Sequence, residues 1–294
     1  MPELPEVETT IRELQKIQPP IVGAEFVDVW TDSPNIIKRP KNFEQFKLEI
    51  KNKKIQKIWR RAKFILFDLS QDKILLIHQK LTGHLLVGRW KFEKSKWKPL
   101  EEGVLADSTN CFIHLMFWLD QGLMLALSDL RKFARVELWD KKELLNSEEF
   151  KKLGPEPLEK NFNLEKFKEV ILKKKKGKIK QVLMDQEVIA GIGNIYSDEI
   201  LWLAEVNPFR DVQSLTEEDI KKIYVSMKEV LSKAIQAGGE SFSDYRKPNG
   251  EKGNFDKFKK VYRREGEKCL RCGGVIKREK INGRSAHFCP NCQK

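Results

Sequence analysis

Four cysteines near the end of the chain constrain its fold more than any other feature. They form two pairs, Cys269-x2-Cys272 and Cys289-x2-Cys292, with 16 residues between them. Each pair can place two thiolates on one ion through a tight turn, and four sulfurs complete a closed tetrahedral Zn²⁺ site. So short a module cannot fold on an apolar core alone, and metal binding supplies the missing stability. The spacing therefore predicts one structural zinc ion, with a redox iron site as the alternative.

The segment between the two cysteine pairs predicts a β-hairpin that turns at Asn282-Gly283. Arg284 then lies near the tip, where an arginine suits a phosphate or a nucleic-acid groove. A solvated charge is the other interpretation of Arg284. The fifth cysteine, Cys111, stands alone and is expected to be a buried core residue. Cysteines arranged for metal binding indicate a reducing compartment rather than a disulfide framework.

Positive charge is concentrated at one end of the sequence. The net charge is +13, and residues 244–294 carry 15 lysines and arginines against 6 acidic residues, which is +9 of that total. This balance favours a polyanionic partner, with nucleic acid first and an anionic membrane surface second, although basic surfaces also aid solubility. No apolar run approaches the roughly 20 residues of a membrane span. The first residues also lack the features of a signal peptide, so we expect a cytoplasmic protein.

Hydrophobic periodicity predicts a β-rich first half. The pattern indicates a helix over 5–17, followed from residue 23 to residue 139 by short apolar runs typical of a β-sandwich or barrel. The runs "FIHLMFWL" and "LMLALSDL" predict a hairpin with a turn at Gly122. Residues 91–107 are charged and irregular, and we expect a surface loop there.

The second half reads as mainly helical. Proline and glycine in "LGPEPL" at 153–158 mark a boundary, and helical periodicity dominates from 163 to 237. One helix is expected to begin after Thr216 as N-cap, with Asp219 at its third position, and to end at Gly238-Gly239. Residues 240–260 are polar and predict a mobile loop.

The chain begins MPELPEVET, and this start can itself be a reagent. Methionine before proline is normally removed, which leaves Pro2 with a secondary amine. An α-amino group has a pKa of about 8, so a useful fraction is neutral at pH 7. Such an amine attacks a sugar carbon to give an iminium, an electron sink for elimination, while Glu3 serves as acid or base. An ordinary helix start is the competing interpretation.

Taken together, "PELPEVET", "GIGNIYSDEIL" and the four-cysteine finger resemble the formamidopyrimidine-DNA glycosylase family, a branch of the Fpg/Nei DNA repair enzymes. The resemblance implies an α+β fold with a two-helix β-sandwich over 1–150, a helix-two-turns-helix domain over 151–240, a lesion-capping loop and linker over 241–262, and a zinc finger over 263–294. It also implies a bifunctional glycosylase and AP lyase of base excision repair, which excises 8-oxoguanine and formamidopyrimidines by β,δ-elimination. The partner would be double-stranded DNA carrying an oxidised base, and the enzyme a bacterial, nucleoid-associated monomer.

The resemblance also assigns roles to individual residues. Pro2 is the implied nucleophile and Glu3 the general acid, with Glu6 and Lys63 completing the catalytic set. The residues implied to bind DNA are His78, Leu81, Arg131, Phe133, Lys180, Asn194, Tyr262 and Arg284. Among these, Leu81, Arg131 and Phe133 would fill the space left by a flipped base, and Arg131 would pair with the orphaned cytosine.

Several positions depart from the usual family pattern. Leu81 stands where a methionine is usual, "DLRKFA" replaces "DPRRFG", Ser243 occupies a basic position of the capping loop, and the 90–107 segment is longer. The alternatives are therefore a Nei-type enzyme for oxidised pyrimidines and a non-catalytic binder of damaged DNA, with a zinc-ribbon transcription factor more distant. The "PELPE" start favours the oxidised-purine branch, and the sequence leaves the preferred lesion and opposite base open.

Overall fold

The computed structural model describes residues 1–174, 176–241 and 244–294 of the chain. Position 243, which the sequence singled out in the capping loop, lies outside these residues. The chain forms two compact units, one of residues 1–151 with 237–254 and the other of residues 152–236 with 255–294. Within the described residues, no helix combines the length and the apolar character needed to cross a bilayer.

The first unit contains two antiparallel-rich sheets. Its strands are β1 (Phe26–Thr31), β2 (Ile37–Arg39), β3 (Ile55–Arg61), β4 (Phe64–Leu69), β5 (Lys73–His78), β6 (His84–Gly88), β7 (Trp90–Glu93), β8 (Lys96–Pro99), β9 (Ile113–Leu119), β10 (Met124–Ser128) and β11 (Arg135–Asp140). One sheet has the order β1-β9-β10-β6 and the other the order β2-β11-β5-β4-β3. The expected hairpin is confirmed as β9-β10, with Gly122 at a φ of 79° in its turn.

A single apolar core joins the two sheets into the expected sandwich. It contains Phe26 and Phe117 from the four-stranded sheet and Phe67 and Ile77 from the five-stranded sheet, all fully buried. All six residues of β4 are buried, which explains why "FILFDL" reads as a continuous apolar run rather than an alternating one. The helices of this unit are α1 (Leu4–Lys16), α2 (Phe43–Ile50), α3 (Lys141–Asn146) and α4 (Glu148–Lys151).

Helix α1 packs against β3, which fixes the position of the chain start within the unit. Val7, Ile11 and Leu14 repeat at helical spacing and bury one face in the core. On the adjoining face, Arg60 of β3 donates to the carboxylate of Glu8 at 3.1 Å. Burial would raise the pKa of Glu8, but the guanidiniums of Arg60 and Arg12 outweigh it and lower the pKa.

The surface-loop prediction for 91–107 is wrong. Strands β7 and β8 form a hairpin there, followed by two short 3-10 helices at Val104–Ala106 and Ser108–Cys111. Trp97 of β8 packs edge-on against Trp30 of β1 at 5.2 Å, so the hairpin covers apolar residues on the outer face of the four-stranded sheet. The prediction of a buried Cys111 is also wrong, since that side chain is exposed.

The mobile-loop prediction fails for residues 244–254, which pack within the first unit. The backbone N–H of Val87 donates to the carbonyl of Pro248 at 2.8 Å, and Asn254 donates to the carbonyl of Ala237 at 2.8 Å. Tyr245 is only 5% exposed. Polar composition suggested a solvated segment, whereas Tyr245 and Arg246 are buried and form hydrogen bonds with Glu6 and Thr109 inside the unit.

Where the structure describes it, the second unit combines four α-helices and two short 3-10 helices with a small hairpin. Its elements are α5 (Leu164–Lys173), α6 (Ile179–Met184), α7 (Asn194–Leu203), α8 (Glu217–Gln236), β12 (Lys277–Ile281) and β13 (Arg284–Phe288). The predicted start of α8 is confirmed: Asp219 N–H donates to Thr216 Oγ1 at 3.1 Å, and Thr216 N–H donates back to the Asp219 carboxylate at 2.9 Å. Asn282 and Gly283 both have positive φ, as a two-residue hairpin turn requires.

Candidate functional site

The first residues of the chain are held in a buried position at the start of α1. Pro2 is buried and Glu3 is 2% exposed, while Met1 is 43% exposed. Pro5 lies in the first turn of α1, where its missing N–H removes no helical hydrogen bond. The chain thus presents its second residue from a fixed helix start, as a reactive terminus requires.

Glu6 holds this helix start to a neighbouring turn of the same unit. Its carboxylate is 1% exposed and accepts from the backbone N–H of Glu3 at 2.8 Å and from that of Glu240 at 2.8 Å. Gly239 precedes this contact at a φ of 79°, and a Cβ there would come within 3.0 Å of the Glu6 carboxylate. The Tyr245 hydroxyl donates to the Glu6 carbonyl at 2.9 Å. Both carboxylate oxygens of Glu6 are therefore engaged in positioning the terminus.

Lys63 and His78 lie close together where β4 begins and β5 ends. Lys63 is 6% exposed and directly precedes Phe64, which pairs with His78 across the two strands. Burial, with repulsion from Lys80 and Lys63, lowers the pKa of His78 to about 3. His78 Nδ1 accepts from the Lys80 N–H at 2.9 Å. The neutral ring therefore carries its proton on Nε2, which leaves that nitrogen a donor for a phosphate oxygen.

Two turns of the first unit carry the residues expected to fill space in DNA. Phe133 is 50% exposed, and the Arg131 guanidinium lies 4.6 Å from the centre of its ring. Leu130 beside them is 51% exposed, and Leu81 on the other turn is partly exposed. Apolar side chains left in water at turns indicate a surface that contacts another molecule.

In the second unit, Asn194 opens α7 after Gly193 as N-cap. Its side-chain Oδ1 is buried and has no hydrogen-bond partner among the described residues. The backbone N–H groups at a helix start favour anions, so the position suits the predicted phosphate contact.

Lys180 differs from its expected place on a DNA-contacting surface. Its side chain is 0% exposed and its ammonium is paired with Asp198. The same ammonium lies 3.4 Å from the carbonyl of Asn194. The Asp198 carboxylate also accepts from the backbone and ring of His287 at 2.9 Å each. In this position Lys180 supports the start of α7 rather than reaching a phosphate.

Tyr262 lies on a segment that hydrogen bonds hold within the second unit, and Arg284 lies beside the hairpin turn of the same unit. The buried carboxylate of Glu199 accepts from the backbone N–H groups of Lys260, Val261 and Tyr262 at 2.8 to 3.0 Å. Burial raises the pKa of Glu199 in spite of these three bonds. Arg284 is exposed at the start of β13, where the hairpin turn presents it to solvent.

The four predicted cysteines converge on one point. Their sulfurs all lie within 4.8 Å of one another. The Trp202 indole N–H donates to Cys269 Sγ at 3.4 Å, as outer partners of a thiolate ligand do. Four sulfurs with no other ligand type fit a closed, structural zinc site, which agrees with the sequence prediction.

Sequence reasoning missed several acidic residues that organise these sites. Asp198 and Glu199 stand inside the quoted motif "GIGNIYSDEIL" but were given no role, and Asp129 was passed over before "LRKFA". All three are buried. The available signal was an acidic residue within a strongly apolar helix or strand end, since buried carboxylates need several donors.

A sandwich with an anchored proline terminus, a helical unit and a four-cysteine finger together define the class of helix-two-turns-helix, zinc-finger proteins that act on damaged DNA. Family models match the formamidopyrimidine-DNA glycosylase N-terminal domain over residues 1–136, the formamidopyrimidine-DNA glycosylase H2TH domain over 153–246, and the zinc finger found in FPG and IleRS over 266–294. The chain belongs to the formamidopyrimidine-DNA glycosylase family.

Individual relatives resemble the chain over its full length. It is 37% identical to the formamidopyrimidine-DNA glycosylase of Pelotomaculum thermopropionicum and 38% identical to that of Streptococcus pneumoniae R6, covering 100% of this chain and 99% of each relative. Among solved structures, a Lactococcus lactis FPG mutant bound to Fapy-dG-containing DNA has a TM-score of 0.85 and 36% identity, with 100% of both chains covered. A complex of the L. lactis enzyme with abasic-site DNA has the same TM-score and identity, with 99% of each chain covered.

Proposed function

We propose that the chain is a bifunctional DNA glycosylase and AP lyase that removes oxidised purines from double-stranded DNA in base excision repair. The observation that carries this proposal is the buried Pro2-Glu3 terminus, which the Glu6 carboxylate fixes through the backbone of Glu3 at 2.8 Å. A terminal amine held in this way can be aimed at one sugar carbon of an extruded nucleotide. The family membership supports the same chemistry.

The reaction begins after removal of Met1, when the Pro2 nitrogen attacks C1′ of the damaged nucleotide. The C1′–N bond breaks, and the base leaves with a proton. Glu3 protonates the sugar ring oxygen as the ring opens, which gives an iminium between Pro2 and C1′. Loss of a C2′ proton then breaks the bond to the 3′ phosphate, and a second elimination breaks the bond to the 5′ phosphate. Water finally hydrolyses the iminium and restores the amine.

The DNA-binding residues fall into two groups in this proposal. Lys63, His78, Asn194, Tyr262 and Arg284 contact phosphates and set the position of the duplex. Leu81, Arg131 and Phe133 enter the stack where the damaged nucleotide has been flipped out. Lys180 acts indirectly, through the start of α7. The zinc ion holds the finger that presents Arg284.

Borohydride trapping on a duplex with 8-oxoguanine opposite cytosine tests the proposal. We expect a reduced covalent adduct on Pro2, located by mass spectrometry, in a protein whose intact mass lacks the initiator methionine. Pro2→Gly and Glu3→Gln should lose the adduct or reduce it strongly, because they change the nucleophile and the acid. Glu13→Gln, on the exposed side of α1, is the matched control and should trap like the wild type.

A panel of duplexes separates the alternatives. Trapping on thymine glycol but not on 8-oxoguanine would move the enzyme to the oxidised-pyrimidine branch. Tight binding to damaged duplex without any adduct would make the chain a damage-binding protein and contradict the proposed activity.

We propose further that the protein acts as a monomer at the nucleoid of a bacterial cytoplasm. The two relatives named above are bacterial, and four free thiolates for zinc suit a reducing compartment. Sedimentation of the protein with and without duplex DNA would show a monomer and a one-to-one complex. A dimer in both states would contradict this part.

A further inference from the structure

The two turns that carry Leu81, Arg131 and Phe133 are organised around one buried carboxylate. Asp129 is 0% exposed. One oxygen accepts from the backbone N–H groups of Phe133 at 2.7 Å and Ala134 at 2.8 Å, and the other lies 3.3 Å from the N–H of Arg131. A carboxylate that accepts several backbone N–H bonds holds a turn in one shape. The backbone around Arg131 and Phe133 is thus held by hydrogen bonds to the Asp129 carboxylate.

The backbone of this turn needs such an anchor. Lys132 adopts a φ of 54°, in the left-handed region that an L-residue seldom visits. Its N–H donates to the Asp129 carbonyl at 3.1 Å. Because Lys132 lies between Arg131 and Phe133, its conformation decides where those two side chains point.

The turn that carries Leu81 is equally tight. Gly83 N–H donates to the Gln79 carbonyl at 3.1 Å, and a Cβ on Gly83 would come within 2.5 Å of that oxygen. Lys80 has a φ of 54° and donates its N–H to His78 Nδ1. Leu81 therefore stands on a turn whose backbone has one available shape.

Thr82 connects the two turns. It is 8% exposed, and its hydroxyl donates to the Asp129 carboxylate. The Thr82 Oγ1 atom also accepts a hydrogen bond from the backbone N–H of Arg131 at 3.1 Å. The residue next to Leu81 is thereby joined both to the anchor of the second turn and to the backbone that carries Arg131.

We infer that Thr82 and Asp129 are positioning residues, which lock Leu81, Arg131 and Phe133 into one preformed wedge before DNA is bound. This inference rests on the proposed function. A wedge that is already ordered enters the base stack without the further loss of conformational freedom that a loose pair of loops would incur. The hydrogen bonds of the two residues go to each other and to the backbone of Arg131 and Phe133, so the role we assign to them is to position the wedge.

Thr82→Val tests the inference, since it keeps the shape of the side chain and removes only the hydroxyl. A hydrogen bond to a charged acceptor changes an equilibrium constant by roughly 10- to 100-fold. We expect single-turnover excision of 8-oxoguanine from a duplex to slow by about tenfold or more. We also expect the fluorescence rise of a 2-aminopurine placed beside the lesion, which reports unstacking, to slow by the same factor.

A second substrate isolates the wedge from the chemistry. An abasic site in single-stranded DNA has no stack to open and no base to extrude, so its cleavage needs the terminal amine, Glu3 and the phosphate contacts but not the wedge. Thr82→Val should cleave it at the wild-type rate, and Thr82→Ser should restore both activities because it returns the hydroxyl. Thr31→Val is the matched control, since Thr31 Oγ1 also donates one hydrogen bond, here to the carbonyl of His114 at 2.6 Å, and accepts one backbone N–H, that of Ser33 at 3.0 Å.

The outcomes separate this inference from the proposed function. If Thr82→Val lost the same fraction of its rate on both substrates, or lost none on the duplex, the wedge role of Thr82 would be overturned. The wild-type protein would still be a functional glycosylase. A wild-type protein that cleaves neither substrate would overturn the proposed function and this inference with it. Asp129→Asn is a second test of the inference, because one carboxylate oxygen becomes an NH₂ group that cannot accept hydrogen bonds from the backbone N–H groups. Its duplex defect should equal or exceed that of Thr82→Val.

Discussion

At the scale of single residues, Glu6 occupies a position that requires two hydrogen-bond acceptors, which a carboxylate provides. Each of its oxygens accepts a backbone N–H, from Glu3 on one side and Glu240 on the other. In Glu6→Gln one oxygen becomes an NH₂ group that faces a donor, and bonds to charged acceptors contribute about 1.5–3 kcal/mol each. We expect single-turnover excision to fall by roughly 10- to 100-fold. The free energy of unfolding, measured in urea, should fall as well.

The control for this prediction is Glu13→Gln, which removes a carboxylate from the same helix. Glu13 forms an ion pair with Lys16 at 3.1 Å on the exposed side of α1. Excision by the control should match the wild type. An unchanged rate in Glu6→Gln would show that the terminus is positioned by other contacts.

Buried histidines should make the fold sensitive to acid. Burial lowers the pKa of His84 to about 4, where Arg246 lowers it further while Thr82, Asn110 and Asp129 oppose the shift. The unfolded chain binds a proton near pH 6.5, so below that pH the unfolded state holds more protons than the folded state. The free energy of unfolding should therefore be level above pH 6.5 and fall by up to about 1.4 kcal/mol per pH unit for this residue, down to its folded pKa.

Urea denaturation at a series of pH values between about 7.5 and 4.5 measures this slope. His84→Gln should make the acid limb shallower, because one buried titrating group is gone, while His78, whose pKa is lowered to about 3, still contributes. His114→Gln is the control, since His114 is partly exposed on β9 and its Nδ1 lies 2.8 Å from the carboxylate of Asp32. An acid limb that is identical in His84→Gln and the wild type would contradict the assignment.

At the scale of elements, the zinc-finger hairpin and the start of α7 should contribute to DNA affinity in different ways. Arg284 carries a charge, so the phosphate contact proposed for it would release a counterion, whereas Asn194 is neutral. Arg284→Ala should weaken binding and reduce the slope of log affinity against log salt by about 0.9. Asn194→Ala should weaken binding at every salt concentration with the slope unchanged.

Fluorescence anisotropy of a labelled duplex over a range of salt concentrations measures both effects. Arg278→Ala is the matched control on the same hairpin, because Arg278 already lies 3.4 Å from the carboxylate of Glu265. Its slope should stay at the wild-type value. Identical slopes for Arg284→Ala and the wild type would remove Arg284 from the set of phosphate contacts.

The helices and strands also show which parts of the fold sequence patterns can predict. The cysteine spacing, the cap at Thr216 and the hairpin turn at Gly122 were predictable because each depends on residues close in sequence. The hairpin of β7 and β8 was missed because lysines fill its outward face, while its tryptophans pack on apolar residues of the four-stranded sheet, among them Trp30 and Trp118. The burial of Lys180 was missed for a related reason, since its partner Asp198 lies 18 residues away.

At the scale of the whole molecule, the chain uses two different sources of stability. The first unit has a large apolar core shared by two sheets. The finger has only a small cluster around Trp202, Val261 and Ile276, with two of the cysteines among its buried members. The sequence predicted this contrast correctly, because apolar runs and metal ligands can both be recognised in it. The hydrogen bond between Thr82 and Asp129 could not be predicted in this way, because it joins side chains 47 residues apart.

Removal of zinc should destabilise the finger and leave the apolar core of the first unit intact. Without the ion, four thiolates within 4.8 Å repel or protonate, and the finger loses its main source of folding free energy. We expect a strong chelator to lower DNA affinity by at least about tenfold at moderate salt, since the contact proposed for Arg284 would be lost when the finger unfolds. The first unit should keep its β-sheet circular dichroism and a cooperative thermal transition, because its core contains no metal ligand.

Two cysteine variants control for side effects of the chelator. Cys272→Ser removes a ligand and should reproduce the loss of binding, with less than one zinc per chain by elemental analysis. Cys111→Ser changes an exposed thiol outside the cluster and should keep both the zinc and the affinity. If the zinc-free protein bound damaged duplex as tightly as the zinc-loaded one, the finger would have no part in recognition, and the concentration of positive charge over 244–294 would need another partner.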